Sequence, residues 1–219
     1  MCILVLLIEG DGTDERLSMT RLLADQGCVI QQVGNPLQAV PAAQAAWPDL
    51  VVVNTCSRLP NVAQMCAALD RSNLDLPRLI VSESEDSNSL RASAHLEAPF
   101  TARRLAYRLK KAIGTQANRF LRADDVVVDT LKHNVKSRGQ VSHLTPKELA
   151  LLGFLMKHAD REVNRTEIMK EVWETEYMGD TRTIEVHIRW LRRKLEDDTK
   201  RPMRIVTVRC VGYRFQSPG

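Results

Sequence analysis

The sequence has no CxxC pair, and its five cysteines (Cys2, Cys28, Cys56, Cys66, Cys210) are scattered and odd in number. That pattern excludes a disulfide framework and a zinc ribbon or finger, and it makes a reducing cytoplasm the natural compartment. No apolar run is long enough to span a membrane. Met1 to Ile8 is apolar but far too short, and it lacks the basic start and small-residue cleavage site of a signal peptide, so it reads as a buried strand. Repeats and low-complexity tracts are also missing. Nothing glycine-rich follows a predicted strand: GDGTD has neither GxGxxG nor GxxxxGK[ST] spacing, which counts against a nucleotide site. No nucleophile, base and orienter gather at the predicted strand ends, so an enzyme is not expected. Neither a cofactor nor a metal is expected.

What is present fits two domains. A chain of 219 residues with 44% apolar content is ordinary globular protein, and domains of roughly 100 residues are common. The net charge of +4 is unevenly shared: the first 117 residues hold 11 Lys+Arg against 12 Asp+Glu, leaving 20 against 15 for the rest. Only the second half has the electrostatic signature of a polyanion's partner. The polar stretch GTQANRFLR, Gly114 to Arg122, is the best candidate linker, which gives domains at 1–114 and 123–219 joined by 115–122.

In the first half, apolar runs alternate with helical patterns. Ile3 to Ile8, Val29 to Gln32, Leu50 to Val53 and Leu79 to Val81 read as buried strands, with a fifth near His95 to Leu96. Helix candidates lie at Asp14 to Gln26, Leu37 to Ala46, Val62 to Leu69, Ser87 to Ala94 and Ala102 to Ile113. Such alternation predicts an α/β domain with a doubly wound, five-stranded parallel sheet. A site in such a sheet lies beyond the carboxyl ends of the strands, at Glu9 to Asp11, Asn54, Ser82 and Ala98.

The second half ends in TRTIEVHIRWLRRKLEDDTKRPMRIVTVRCVGYRF, Thr181 to Phe215. At 100° per residue Ile184, Ile188, Leu191 and Leu195 form one stripe, while Arg182, Arg189 and Arg193 fall opposite. A helix enters the major groove only if an apolar core holds it from behind and donors face forward, and arginine suits both phosphates and guanine edges. The strand Ile205 to Val208 and the turn after it outline a wing. Upstream, Val126 to Val128 and Gln140 to His143 read as strands of a small sheet. Thr145 caps a helix that carries Leu149, Leu152, Leu155 and Met156 inward, with Pro146 first and Glu148 close behind. Asn164 caps the next, whose Ile168, Val172 and Trp173 are core or edge contacts. The expected whole is a flavodoxin-like domain followed by an α+β winged helix-turn-helix domain.

On these residues, together with IEGD, PDLVVVN, PRLIVS and APF in the first half, the chain resembles bacterial response regulators of the OmpR/PhoB type over nearly its whole length. The resemblance implies a sequence-specific transcription regulator with a receiver domain. It also shows a damaged receiver. Asn54 stands at the phosphoacceptor position, where a carboxamide is neither a nucleophile toward phosphoryl donors nor a charged magnesium ligand. Ala98 replaces the lysine expected before Pro99. Either Glu9 and Gly10 or Gly10 and Asp11 fill the acidic pair, so one acid is missing. Ser82 keeps the switch hydroxyl. The segment Ser82 to Pro99 is shorter than expected, near a face that serves relatives as a dimer contact. The expectation is regulation without aspartyl phosphorylation. Its alternative is a receiver-like domain that senses a small ligand or a partner protein; an architectural DNA-binding protein is disfavoured by the modest net charge.

The resemblance further implies that Arg182, Arg189 and Arg192 contact phosphates with His187 beside them. Thr183, Arg193 and Val186 join them on the DNA-facing helix, Val186 as a contact for a thymine methyl. Trp190 stands where relatives carry an arginine and is given a mixed role, covering the core and packing along sugar and phosphate. Trp173, Thr207, Arg209 and Tyr213 complete the expected interface, Arg209 as the minor-groove probe. Cys210 replaces a glycine common at the wing turn. The loop Glu174 to Asp180 touches RNA polymerase in the resembling family. Double-stranded DNA, on direct repeats bound by a homodimer, is the expected partner, with no membrane association.

Overall fold

The computed structural model describes residues 3–10, 18–57, 59–83, 90–175 and 182–217. The chain divides into two compact units, Met1–Asn118 and Arg119–Gly219.

In the first unit five strands, β1 (Ile3–Ile8), β2 (Cys28–Val33), β3 (Leu50–Asn54), β4 (Arg78–Ser82) and β5 (Ala94–Glu97), form a sheet in the order β2-β1-β3-β4-β5. All four pairings are parallel. β3 and β4 are buried on both faces, as expected of central parallel strands covered by helices. The period of two along β1 divides the core. Val5 and Leu7 join Met19, Leu23, Leu105 and Leu109 from α1 (Met19–Ala24) and α4 (Ala102–Ile113). Leu6 and Ile8 join Ala39, Ala43, Met65 and Leu69 from α2 (Ala39–Ala46) and α3 (Val62–Arg71). The doubly wound prediction therefore holds, with its reversal of strand order between β1 and β3.

Two local expectations change. The predicted helix Ser87 to Ala94 falls partly outside the described residues, but Leu90–Ser93 are not helical and Ala94 already begins β5. The strand is selected because Ala94 and Leu96 are buried beside Leu79 and Val81. The polar stretch read as linker, Gly114 to Arg122, runs into strand β6 (Phe120–Ala123), paired antiparallel with β7 (Val126–Asp129).

The second unit opens with a meander, β6-β7-β8-β9, in which β8 is Asn134–Ser137 and β9 Gln140–His143. The β8–β9 hairpin turns on two residues, Arg138 and Gly139, both at positive φ (53° and 75°), as a two-residue turn of the favoured hand requires. Arg119 closes the sheet's entrance: its guanidinium donates to both carboxylate oxygens of buried Asp129, at 3.0 and 2.6 Å. Helices α5 (Pro146–Lys157), α6 (Arg165–Trp173) and α7 (Arg182–Leu195) follow, and a small sheet β10-β12-β11 ends the unit, with β10 Val163–Asn164, β11 Ile205–Val208 and β12 Gly212–Phe215.

Helix α5 starts as its sequence predicts. Thr145 Oγ1 accepts from Glu148 N at 3.3 Å, and the Glu148 carboxylate accepts from Thr145 N at 2.7 Å, a reciprocal capping box. Asn164 Oδ1 likewise accepts from Glu167 N at 2.7 Å to cap α6. Leu152, Leu155 and Met156 point inward, but the remaining inward position is taken by Leu151; Leu149 is half-buried at the edge of the core. No helix among the described residues is long and apolar enough to cross a membrane.

Candidate nucleic-acid interface

Helix α7 is anchored as its stripe predicts. Ile184, Leu191 and Leu195 are wholly buried and Ile188 nearly so, all within the core of the second unit. The opposite side presents Arg182, Arg189 and Arg193, together with Val186 and Trp190, both about two-fifths exposed. The same face thus carries guanidinium groups and two large apolar surfaces.

Behind α7 two buried acids hold the frame. Glu148 of α5 receives the Lys194 ammonium at 2.7 Å on each oxygen, while that ammonium also donates to His143 O at 2.8 Å. Burial pushes the Glu148 carboxyl up, but the hydrogen bonds from Lys194 and Thr145 outweigh it and hold the group below its usual range. Glu196, just past the helix end, accepts from the backbone N–H groups of Met203, Arg204 and Ile205 at 2.9 to 3.0 Å. It fixes where β11 begins relative to α7.

Arg192 joins the reader helix to the wing. Its Nε and Nη2 donate to Ile205 O at 2.9 and 2.6 Å, and Nη2 donates to Thr207 Oγ1 at 2.8 Å. The side chain is half-buried, and desolvation pulls its pKa below the usual arginine range. Expected as a phosphate contact, Arg192 spends these donors as a brace between α7 and β11, with the Thr207 hydroxyl as one of its acceptors. Resemblance alone made it a phosphate contact; at 100° per residue it falls beside the buried stripe rather than opposite it. The return of β11 behind it, which no local pattern signals, gives it this other task.

Tyr213 was expected at the surface and is instead 3% exposed, in the core, with Arg165 over its ring at 5.4 Å. Its β12 neighbour Gly212 pairs with Asn164 and Val208, and the β10 backbone beside it leaves no room for a side chain. Thr207 and Arg209 are exposed on the wing. Cys210 stands at the wing turn with φ of 61°, the left-handed conformation that glycine adopts more readily.

One grouping was not foreseen in the sequence. His187 lies between Trp173 and Trp190, ring centroids 5.2 and 5.1 Å away, edge to face on both sides. Its Nδ1 faces Thr183 O at 2.8 Å, which requires Nδ1 to carry the proton and makes Nε2 an acceptor when the ring is neutral. Lys147 stands 5.9 Å over the Trp173 ring and donates to Val172 O at 2.9 Å. The i, i+3 spacing of His187 and Trp190 was visible; the arrival of Trp173 from α6 was not. Beyond α6, Glu174 adopts a left-handed conformation at φ 56°, and residues 176–180 of the loop considered for RNA polymerase lie outside the described residues.

At the carboxyl end of the five-stranded sheet, Glu9 and Asn54 meet. Asn54 Nδ2 donates to Glu9 Oε1 at 2.6 Å; the same oxygen accepts from Met19 N at 2.9 Å, and Oε2 from Ser18 Oγ at 3.1 Å. Both residues are buried, Asn54 at 0% and Glu9 at 2% exposure. Ser57 extends the network, donating to Asn54 O at 2.5 Å and accepting from Gly10 N at 2.9 Å. Ser82 is buried at the end of β4, and its carbonyl accepts from Ala98 N at 2.8 Å. Asp11 lies outside the described residues. Glu9 therefore acts as a structural acceptor, bonded to the Asn54 amide and holding the first N–H of α1.

Comparison with known proteins places this architecture. Residues 139–215 match the family model described as "Transcriptional regulatory protein, C terminal". A probable transcriptional regulatory protein of Picosynechococcus is 31% identical over 180 residues, covering 76% of this chain and 72% of that one. The sensory transduction protein RegX3 of Mycolicibacterium smegmatis is 29% identical over 210 residues, covering 89% and 91%. Among solved structures, the response regulator DrrB, an OmpR/PhoB homologue of Thermotoga maritima, matches with a TM-score of 0.42 at 21% identity, covering 99% of this chain and 100% of that one. These relatives are regulators rather than enzymes, in line with the sequence reading. The chain belongs to the OmpR/PhoB-type response regulators, a family of DNA-binding regulators of transcription.

Proposed function

We propose that this regulator binds its DNA sites without aspartyl phosphorylation. The observation that carries the reading is the 2.6 Å bond from the Asn54 amide to Glu9. It fills the phosphoacceptor position with a group that is not a nucleophile, and it occupies the neighbouring acid that a magnesium ion would need. Ala98 supplies no cation to answer a phosphoryl group.

In this reading α7 lies in the major groove, with Arg182, Arg189 and Arg193 toward phosphates and guanine edges and Val186 and Trp190 toward sugars and thymine methyls. Arg209 on the wing reaches the minor groove. Arg192 and Tyr213 hold helix and wing in their relative positions. Two copies in the cytoplasm would occupy direct repeats about one helical turn apart. Exposed Trp190 where a second arginine is usual supports a base preference that differs from that of relatives.

Substituting Arg189→Ala and Arg209→Ala tests the interface. Each is expected to weaken binding to a duplex selected from a random pool by roughly 1–3 kcal/mol, about fivefold to 150-fold, with melting unchanged because both side chains are exposed. Fluorescence anisotropy at fixed salt reads the affinity. Wild-type affinity in both variants would remove α7 and the wing from the interface.

A further inference from the structure

Val186 and Trp190 are one turn apart on the outward side of α7, about 40° from each other at 100° per residue. Val186 is 43% exposed and Trp190 41%. Together they make one apolar strip in the middle of the helix. Arg182 lies a turn before the strip and Arg193 almost a turn after it, while Arg189 occupies the side away from His187.

The strip is held from its flank. His187, its Nδ1 donating to Thr183 O at 2.8 Å, stands between Trp173 and Trp190 with interplanar angles of 79° and 64°. Edge-to-face packing on both sides of the imidazole orients the Trp190 indole without burying it. A ring placed only to cover the core would be closed over by its neighbours, whereas this one adjoins a second exposed apolar side chain. A large, pre-oriented apolar surface loses little freedom when a partner covers it.

The chemistry of the strip selects what that partner presents. Valine offers no hydrogen-bonding group and indole a single donor, so neither can pair with guanine as an arginine does. The guanidinium groups around the strip match phosphates and guanine edges, and they leave its middle to a base edge that is itself apolar. In the major groove that edge is the methyl group on C5 of thymine.

We propose that the Val186–Trp190 strip recognises the 5-methyl group of a pyrimidine, so that 5-methylcytosine can stand in for thymine at the position it reads. The proposal rests on the major-groove role given to α7 above, and it names what the middle of that helix reads. Affinity at such a position then responds to cytosine methylation as well as to sequence.

The test titrates the full chain against a duplex selected from a random pool, with each thymine replaced in turn by uracil, which removes only the methyl. At one or two thymines affinity should fall about fourfold, the effect of returning one methyl-sized surface to water. Exchange of such a T·A pair for C·G should weaken binding, and methylation of that cytosine on C5 should restore about fourfold. Trp190→Arg, and Trp190→Ala as a second variant that adds no charge, should bind thymine and uracil duplexes alike. Indifference of the wild-type protein to every thymine methyl would overturn the proposal, and it is the result expected of an indole that packs along sugars. No gain from cytosine methylation, or a methyl effect undiminished in both variants, would overturn it equally. Failure of the reader itself is a separate result: wild-type protein would then not distinguish the selected duplex from a scrambled one.

Discussion

Gly212→Ala is expected to unfold, or nearly unfold, the winged unit. A β-carbon at this position would overlap the Val163 carbonyl oxygen and come within 3.0 Å of Asn164 Cα, so the obstruction is backbone on the neighbouring strand and cannot rotate away. Relief requires β10 and β12 to separate at the Asn164–Gly212 pair. That movement exposes Tyr213 and Phe215, which are 3% and 0% exposed in the core, and it unseats the strand against which β11 is paired. Overpacking alone costs about 1–3 kcal/mol, and a rigid backbone obstruction belongs at or beyond the top of that range. For a unit of about 100 residues a loss of roughly 3 kcal/mol lowers the melting temperature by roughly 12–24 °C. Thermal melting followed by circular dichroism reads the effect, and a fall of only a degree or two would show that the close approach is not rigid. The neighbouring Cys210 supplies the contrast. Its φ of 61° favours glycine, so Gly212 is required by space while the turn residue beside it merely bears a conformational cost.

The second large effect is expected from Asn54→Asp. The exchange is nearly isosteric, yet it replaces the donor 2.6 Å from Glu9 Oε1 by a second carboxylate oxygen, with both residues buried. Two carboxylates sharing so small a site cannot both ionise without penalty. At neutral pH the substitution should cost about 2–4 kcal/mol, from the lost bond and the added repulsion together. The sign with pH follows from the pair: its second ionisation is pushed above the ordinary carboxylate range in the folded state, so the destabilisation is greatest at neutral pH and fades as pH falls and one proton comes to be shared. Asn54→Ala separates charge from hydrogen bonding, because it removes the donor without adding an anion. Denaturant unfolding at about pH 7 and about pH 5 should therefore rank wild type above Ala above Asp at the higher pH, with Asp gaining on Ala at the lower. If Asp equalled Asn at neutral pH, the amide would not be what holds Glu9. The substitution does not rebuild a switch, since Ala98 still provides no ammonium group.

The sequence disclosed most where burial is periodic. Runs such as Leu50–Asn54 and Arg78–Ser82 announce central parallel strands because both their faces are covered, and the Ile184, Ile188, Leu191, Leu195 stripe announces the inner side of α7. Caps were legible too, since Thr145 and Asn164 act on N–H groups only three residues away. What escaped was decided by partners distant in sequence. Gly114 to Arg122 is polar enough to read as linker, yet from Phe120 onward it becomes a strand because Val126–Asp129 returns to pair with it. Arg192 reads by resemblance as a phosphate contact until β11 brings the Ile205 carbonyl beneath it. Glu9 or Asp11 could equally have filled the acidic pocket by sequence; the Asn54 amide and the Met19 N–H, 45 and 10 residues away, engage Glu9. The Trp173–His187–Trp190 cluster likewise depends on how α6 crosses α7, which spacing along either helix cannot reveal.

The proposed reading joins a buried Asn54–Glu9 bond in the first unit to a reader helix braced to its wing in the second. In the proposed reading Glu9 is already engaged, by the amide at the position where relatives are expected to carry the phosphate. The reader's affinity should then follow protein concentration and DNA sequence rather than phosphoryl donors. Incubation of the full chain with acetyl phosphate and magnesium, followed by intact mass measurement and a DNA titration on the selected duplex, tests this most directly. The account predicts unchanged mass and unchanged affinity; an added phosphate mass accompanied by tighter DNA binding would contradict it.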